Sequence, residues 1–279
     1  MSLSLQTNIT SLVAQQNLQV NTNSLDNAIT QLTSGYRINS AGDDAAGLAV
    51  ANGYRADVAE LQQGVRNAND GTATLQTIDG GLNNISNILD QLQTLATQSA
   101  SGTFQGDRAT LNQEFTSLVG EINRQAANIG LASGGGTAGV NNTTVAVFIG
   151  GGDTQADSQI SINLSGSANV VDSSGLGLST SAVDTAAHAQ TAITSITAAI
   201  QSLGLVQGSV GDGENTLTYA VGLANSQITN LSASESTIRD ANVAQEASAL
   251  TQSQILQQSS VSALAQANSE PQALLKLLQ

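Results

Sequence analysis

Cysteine and tryptophan are absent from the 279 residues, proline occurs once at Pro271, and Phe and Tyr supply three residues each. Without thiols there can be no disulfide, thiolate metal site or cysteine nucleophile, a usage that fits work outside the cell. The scarcity of aromatics argues against a thick core, because aromatic rings carry much of the area that fills one. Basic charge is equally thin: Lys276 and six arginines against 21 acids leave a net charge of -14. Phosphate backbones and anionic membranes call for clustered Lys and Arg, so neither nucleic acid nor membrane insertion is expected. No apolar run approaches the roughly 18 residues of a spanning helix. The start, "MSLSLQTNIT", has neither the basic region nor the apolar run of a secretory signal peptide. Any export is expected to need no cleaved signal.

What the chain does have is 40 % apolar residues, mostly Ala, Leu, Ile and Val, which suit long, thin helix interfaces. From Val58 they keep near-heptad time through Leu61, Val65, Ala68, Leu75, Ile78, Leu82, Ile85, Leu89, Leu92 and Ala96. One slip falls near Thr72. The spacing predicts a coiled-coil helix about 60 Å long. Leu111, Phe115, Leu118 and Ile122 mark a second helix after a Gly-containing turn, and Ile193 to Ile238 repeat the pattern. Residues 131–183 differ, being rich in Gly, Ser, Thr and Asn, with "TTVAVFIG" and "SQISINL" reading as a β-hairpin. The expected fold is mainly α: long antiparallel coiled-coil helices with a small β-hairpin, loop-rich insert.

The two ends are almost free of charge. Residues 1–33 hold only Asp26 as a charged group, and residues 241–279 only Glu246, Glu270 and Lys276. Yet the first end carries an apolar stripe of Leu5, Ile9, Leu12, Leu18, Leu25, Ile29 and Leu32. The last end carries Val243, Leu250, Ile255, Leu264, Leu274 and Leu278. A solvated helix normally has charges on its outer face. Helices that are apolar on one side and amide-rich on the other suit burial among neighbours, where amides can satisfy one another.

Candidate chemistry is sparse. His188 is the only histidine, and a zinc site needs several N or S ligands. No His–Asp pair is available to activate a hydroxyl nucleophile, so an enzyme, a metal and a cofactor are not expected. In "INSAGDDAAGLAV" the adjacent acids Asp43 and Asp44 precede small apolar residues. Neighbouring residues do not share a helix face, which makes them a poor acid–base dyad. They are read as the N-cap of a helix.

Those residues also carry a resemblance. "INSAGDDAAGLAVANGYRADVAEL", "VRNANDGTATLQTIDG", and the C-terminal "IRDA" and "LAQAN" elements resemble the two terminal signatures of bacterial flagellins, collinear over roughly residues 1–130 and 186–279. The resemblance implies a filament subunit for swimming motility, exported unfolded through the flagellar apparatus. It implies a filament core of residues 1–42 and 241–279, coiled-coil helices over 43–130 and 186–240, and a small surface insert at 131–185. The apolar stripes would then serve polymerisation, and the partners would be the chain itself, an export chaperone and the filament cap. A hook–filament junction protein, or a secreted adhesin acting through residues 131–185, are the alternatives.

Two departures from the family stand out. Flagellins recognised by the animal Toll-like receptor usually carry a Leu-Gln-Arg-x-Arg-Glu-Leu run, whereas here Leu89 to Leu95 place Gln91 and Gln93 where the arginines would stand. Glu121 still matches the family's contributing acid, but weak or absent receptor recognition is expected. In addition, Gly204, Gly208, Gly211, Gly213 and Gly222 are expected to loosen or break the C-terminal helix near Gly211.

Overall fold

A computed structural model describes residues 7–133, 144–151, 158–166 and 169–277, the last seven of these without their side chains. Five helices and one hairpin follow in order: α1 (Ile9–Ser34), α2 (Ala45–Ala100), α3 (Arg108–Asn128), β1 (Thr144–Phe148), β2 (Gln159–Asn163), α4 (Ala186–Arg239) and α5 (Val243–Leu277). They form two compact units. One comprises the chain up to Ala56 and from Asn230 onward; the other is Asp57–Thr229. The insert is not a unit of its own.

The second unit has a continuous apolar core. Along α2 the buried residues include a row of Leu61, Gly64, Ala68, Gly71, Leu75, Ile78 and, in the same rhythm, Leu82, Ile85, Leu89, Leu92 and Ala96. Steps of three and four alternate without a slip, because Gly64 and Gly71 occupy the beats that an apolar count leaves empty. Both glycines are required by close approach. A Cβ on Gly64 would lie 1.8 Å from the Ile149 carbonyl oxygen, and one on Gly71 would lie 2.8 Å from Val147. The hairpin is antiparallel, pairing Val145 with Ile162 and Val147 with Ile160, so these four share one face. That face also meets α4, where a Cβ on Gly213 would touch Ile162 at 2.8 Å and Leu75 at 3.2 Å.

Contrary to expectation, α4 is unbroken through its glycine-rich stretch. Leu203, Val206, Val210, Gly213, Leu217 and Ala224 are all buried along one side. Each buried aliphatic side chain contributes about 1.5–3 kcal/mol, which outweighs about 1 kcal/mol lost per helical glycine.

The described parts of residues 131–185 also differ from a surface insert. Leu131, Leu164, Val171, Leu178 and Val183 are buried, and the Val171 N–H donates to the Leu131 carbonyl at 3.0 Å. Asn123 accepts the Ser173 N–H at 2.8 Å and Asn112 accepts the Val183 N–H at 2.9 Å. Burial pushes the Asp172 carboxyl up, but hydrogen bonds from Ser133, Gly175 and Ser174 outweigh it and leave it below the usual range. A short alternating run is legible as a strand; the irregular segment after it is satisfied by scattered partners, its N–H groups going to helix side chains, to the Leu131 carbonyl and to its own Asp172.

Candidate functional site

The sequence places its unusual chemistry at the charge-poor ends, and the structure pairs them. In the first unit α1 lies antiparallel against α5. The Asn8 amide donates to the Ala267 carbonyl at 2.8 Å, Ser11 Oγ to Asn268 Oδ1 at 2.8 Å, and the Asn21 amide to Ser260 Oγ at 2.7 Å. Asn8 also caps α1 by accepting the Ser11 N–H. Composition had pointed to mutual satisfaction of amides and hydroxyls; which ones meet depends on the register of the two helices, which composition does not encode.

The seam between the helices is thin. Among the described side chains of α1 and α5, only the small residues Ser11, Ala28, Ser253 and Ala267 are buried, while Leu18, Leu25, Leu32, Leu250 and Leu264 are half-buried. Ile9, Leu12, Ile29, Val243 and Ile255 of the expected stripe are exposed, Ile9 and Ile255 at 62 % each. The stripe is therefore two surfaces, one turned to the partner helix and one turned outward. Val13, Val20, Leu256 and Val261 belong to the outward surface as well, and a single-stripe reading missed them. Leu5 and Leu278 lie outside the described residues, as does the side chain of Leu274. An open groove of about 340 Å³ runs between α1 and α5, lined in part by Val13, Ala14, Ala263 and Ala267.

A clasp joins the chain where α1 ends and α5 begins. Gly35, at φ 76, caps α1 in the left-handed conformation that glycine adopts without strain. Its carbonyl accepts the Ala241 N–H at 2.9 Å, and the Arg37 N–H donates to the Arg239 carbonyl at 2.7 Å. Arg37 Nη2 reaches the Ile238 carbonyl at 2.6 Å. The Arg239 guanidinium lies 4.1 Å over the Tyr36 ring, an arrangement that attracts a cation to the face of the ring.

The two acids of the "INSAGDDAAGLAV" stretch divide their roles. Asp44 Oδ1 accepts the Gly47 N–H at 2.9 Å, which caps α2. Asp43 Oδ2 instead accepts the Asn39 and Ser40 N–H groups at 3.0 and 2.8 Å, closing the turn before the helix. The Ser40 and Asn39 backbone bonds hold its carboxyl below the ordinary value. Adjacent side chains point in different directions, so only one can serve the helix end.

In the second unit Gln91 is exposed and Leu95 half-buried on α2, with Glu121 on α3. The partners of Glu121 lie on its own helix: both carboxylate oxygens take Arg124, and Oε1 also accepts the Gln125 amide at 2.8 Å. Hydrogen bonding from Arg124, aided by Gln125, pulls its pKa from 4.5 to about 2. Against the expectation that no His–Asp pair is available, His188 Nδ1 does lie 2.6 Å from Asp184, a residue one helical turn away, with both side chains exposed on the surface. Among the described residues no group of three or more His, Cys, Asp or Glu could hold a metal.

Residues 5–130 match the family model of the bacterial flagellin N-terminal helical region, and residues 193–278 that of the C-terminal helical region. A flagellin of Halalkalibacterium halodurans is 35 % identical over 97 % of this chain and 98 % of its own. The flagellar filament 30.7 kDa core protein of Treponema maltophilum is 31 % identical over the same shares of both chains. A crystal structure of Bacillus cereus flagellin, 26 % identical, aligns with a TM-score of 0.47 over 61 % of this chain and 94 % of that one.

Proposed function

We propose, on the premise that this chain belongs to the bacterial flagellin family, that its α1/α5 pair is the surface through which copies stack. As a flagellin the chain is a structural subunit that polymerises into the extracellular flagellar filament. One observation carries the finer reading: the pair turns large apolar side chains outward, Ile9, Leu12, Val20, Ile255 and Val261 among them, from helices nearly free of charge. Large apolar side chains grouped on the outside of one helix pair support its reading as an interaction site. The near absence of ions removes like-charge repulsion between stacked copies. Filament growth needs a contact between two different surfaces that repeats without closing, and the outward apolar surface of the helix pair is offered as one side of it.

Family membership also supports an export chaperone and the filament cap as partners. We infer no enzymatic step, since the family is structural. The self-paired Glu121 and the glutamines at 91 and 93 favour weak recognition by the animal receptor. A receptor reporter assay that responded at nanomolar concentration would contradict that point.

The reading is tested by seeding. Full-length protein is expected to elongate fragmented filaments, while chains lacking residues 1–33 or 245–279 stay soluble, keep the fold of the second unit and add nothing to a seed. Filaments grown from either truncation, seen by negative-stain microscopy, would refute it.

A further inference from the structure

The seam between α1 and α5 does not by itself fix how far one helix lies along the other. On α1 the half-buried Leu18, Leu25 and Leu32 recur at seven-residue intervals, so a slide of one heptad lays leucine where leucine was. The polar bonds are no more selective. Asn21 meets Ser260, but Gln257, Gln258, Ser259 and Ser262 offer an amide or hydroxyl within a turn of it. Interchangeable partners specify a register weakly, whereas a partner without an equivalent elsewhere specifies it well.

The clasp supplies such partners. One heptad from Tyr36 stand Ile29 and Asp43, and one heptad from Arg239 stand Ser232 and Glu246, so no slide restores the stacked pair. Arg239 is held over the ring with only 17 % of its side chain exposed, and Glu235 lies 3.8 Å away. Both strands of the clasp are anchored. Ile38 is 2 % exposed and rests on Gly47, where an added Cβ would lie 2.9 Å from its Cδ1. Among the described residues of the first unit it is the only large apolar side chain so buried. On the other strand Ser236 Oγ donates to Asp240 Oδ2 at 2.6 Å, and Asn242 Oδ1 accepts the Ala244 N–H at 3.1 Å to cap α5. From Gly35–Ala241 one antiparallel order runs out through Asn21–Ser260 to Asn8–Ala267. We infer that Tyr36 and Arg239 are positioning residues that set the register of the terminal helix pair. With them stacked, α5 starts at one height beside α1; without them, alignments a heptad apart, about 10 Å along the axis, compete. The consequence for growth rests on the filament reading, because a neighbouring copy can add only to the alignment it fits; the register itself does not.

The chain has no cysteine, so spin labels can be confined to Gln16→Cys on α1 and Gln254→Cys on α5, both exposed positions. Pulsed electron paramagnetic resonance then reads the distance between them in dilute, full-length monomer. With the clasp intact, one distance population is expected. Tyr36→Ala with Arg239→Ala should add a second, displaced by several ångströms, while circular dichroism shows the helix content unchanged. Tyr36→Phe, which keeps the ring, should retain the single population. In seeded growth the double variant should elongate wild-type filaments several-fold more slowly, and Tyr36→Phe at the wild-type rate. Identical distance distributions with and without the clasp, whether narrow or broad, would overturn the inference. A wild-type chain that fails to elongate seeds would sink the filament reading alone, since the distances decide the register without any filament.

Discussion

The two units of this chain are built from similar helices and bury them very differently. In Asp57–Thr229 a row of Leu and Ile from α2, together with Phe115 and Ile122 of α3, is fully removed from solvent. In the other unit the described buried positions on α1 and α5 are Ser and Ala, and the large aliphatics described there stay half or wholly exposed. One unit is finished within a single chain. The other is held by a few amide and hydroxyl bonds and a clasp, each net hydrogen bond adding only about 0.5–1.5 kcal/mol. A helix pair left this thin has its apolar area available for neighbours, and that is what a polymerising subunit requires.

Matched substitutions should break the comparison most sharply. Leu89→Ala, which empties a fully buried site, should destabilise the second unit by about 2–5 kcal/mol in denaturant unfolding. Ile255→Ser, on the outward side of α5, should move monomer stability by less than about 0.5 kcal/mol yet suppress seeded growth. Equal losses of monomer stability from both would erase the distinction.

A smaller effect is expected at the hairpin seat. Gly64→Ala must displace the Ile149 backbone, and overpacking of this kind costs about 1–3 kcal/mol. Circular dichroism should show α2 retained with a lower melting temperature; an unchanged melting temperature would mean the hairpin does not rest on α2. The smallest effect concerns Glu121. Its folded pKa, about 2, is depressed from 4.5, so its contribution to stability is present above pH 4.5 and is lost as pH falls toward 2. Carboxyl NMR should find the depressed value, and Arg124→Ala should return it toward the ordinary one.

Much of the α architecture is legible in the sequence because burial writes itself as steps of three and four. The strands were legible too, as alternating runs of Val and Ile. What periodicity hid was glycine. Gly64, Gly71 and Gly213 sit on the buried face without adding hydrophobicity, so a regular helix read as one with a slip and an unbroken α4 read as one about to fail. The fold of residues 169–183 was illegible for another reason, since helix side chains that bond its backbone lie far away in the chain: Asn112 and Asn123 accept its N–H groups and Ser99 Oγ donates to the Val183 carbonyl. At the candidate site, the charge-poor composition of the ends and their stripe were visible. Which residues face inward was not, because that depends on the register between α1 and α5. The Arg239–Tyr36 clasp likewise joins residues some 200 positions apart, and no local pattern announces it.

Amide hydrogen exchange, followed residue by residue in dilute monomer and in assembled filament, bears most directly on the terminal helices. Amides along Leu75 to Leu92 should be strongly protected in both states. Those of α1 and α5 should exchange rapidly in the monomer and slow by orders of magnitude on assembly. Terminal helices as protected in the lone subunit as in the filament would contradict the claim that neighbouring copies complete their burial.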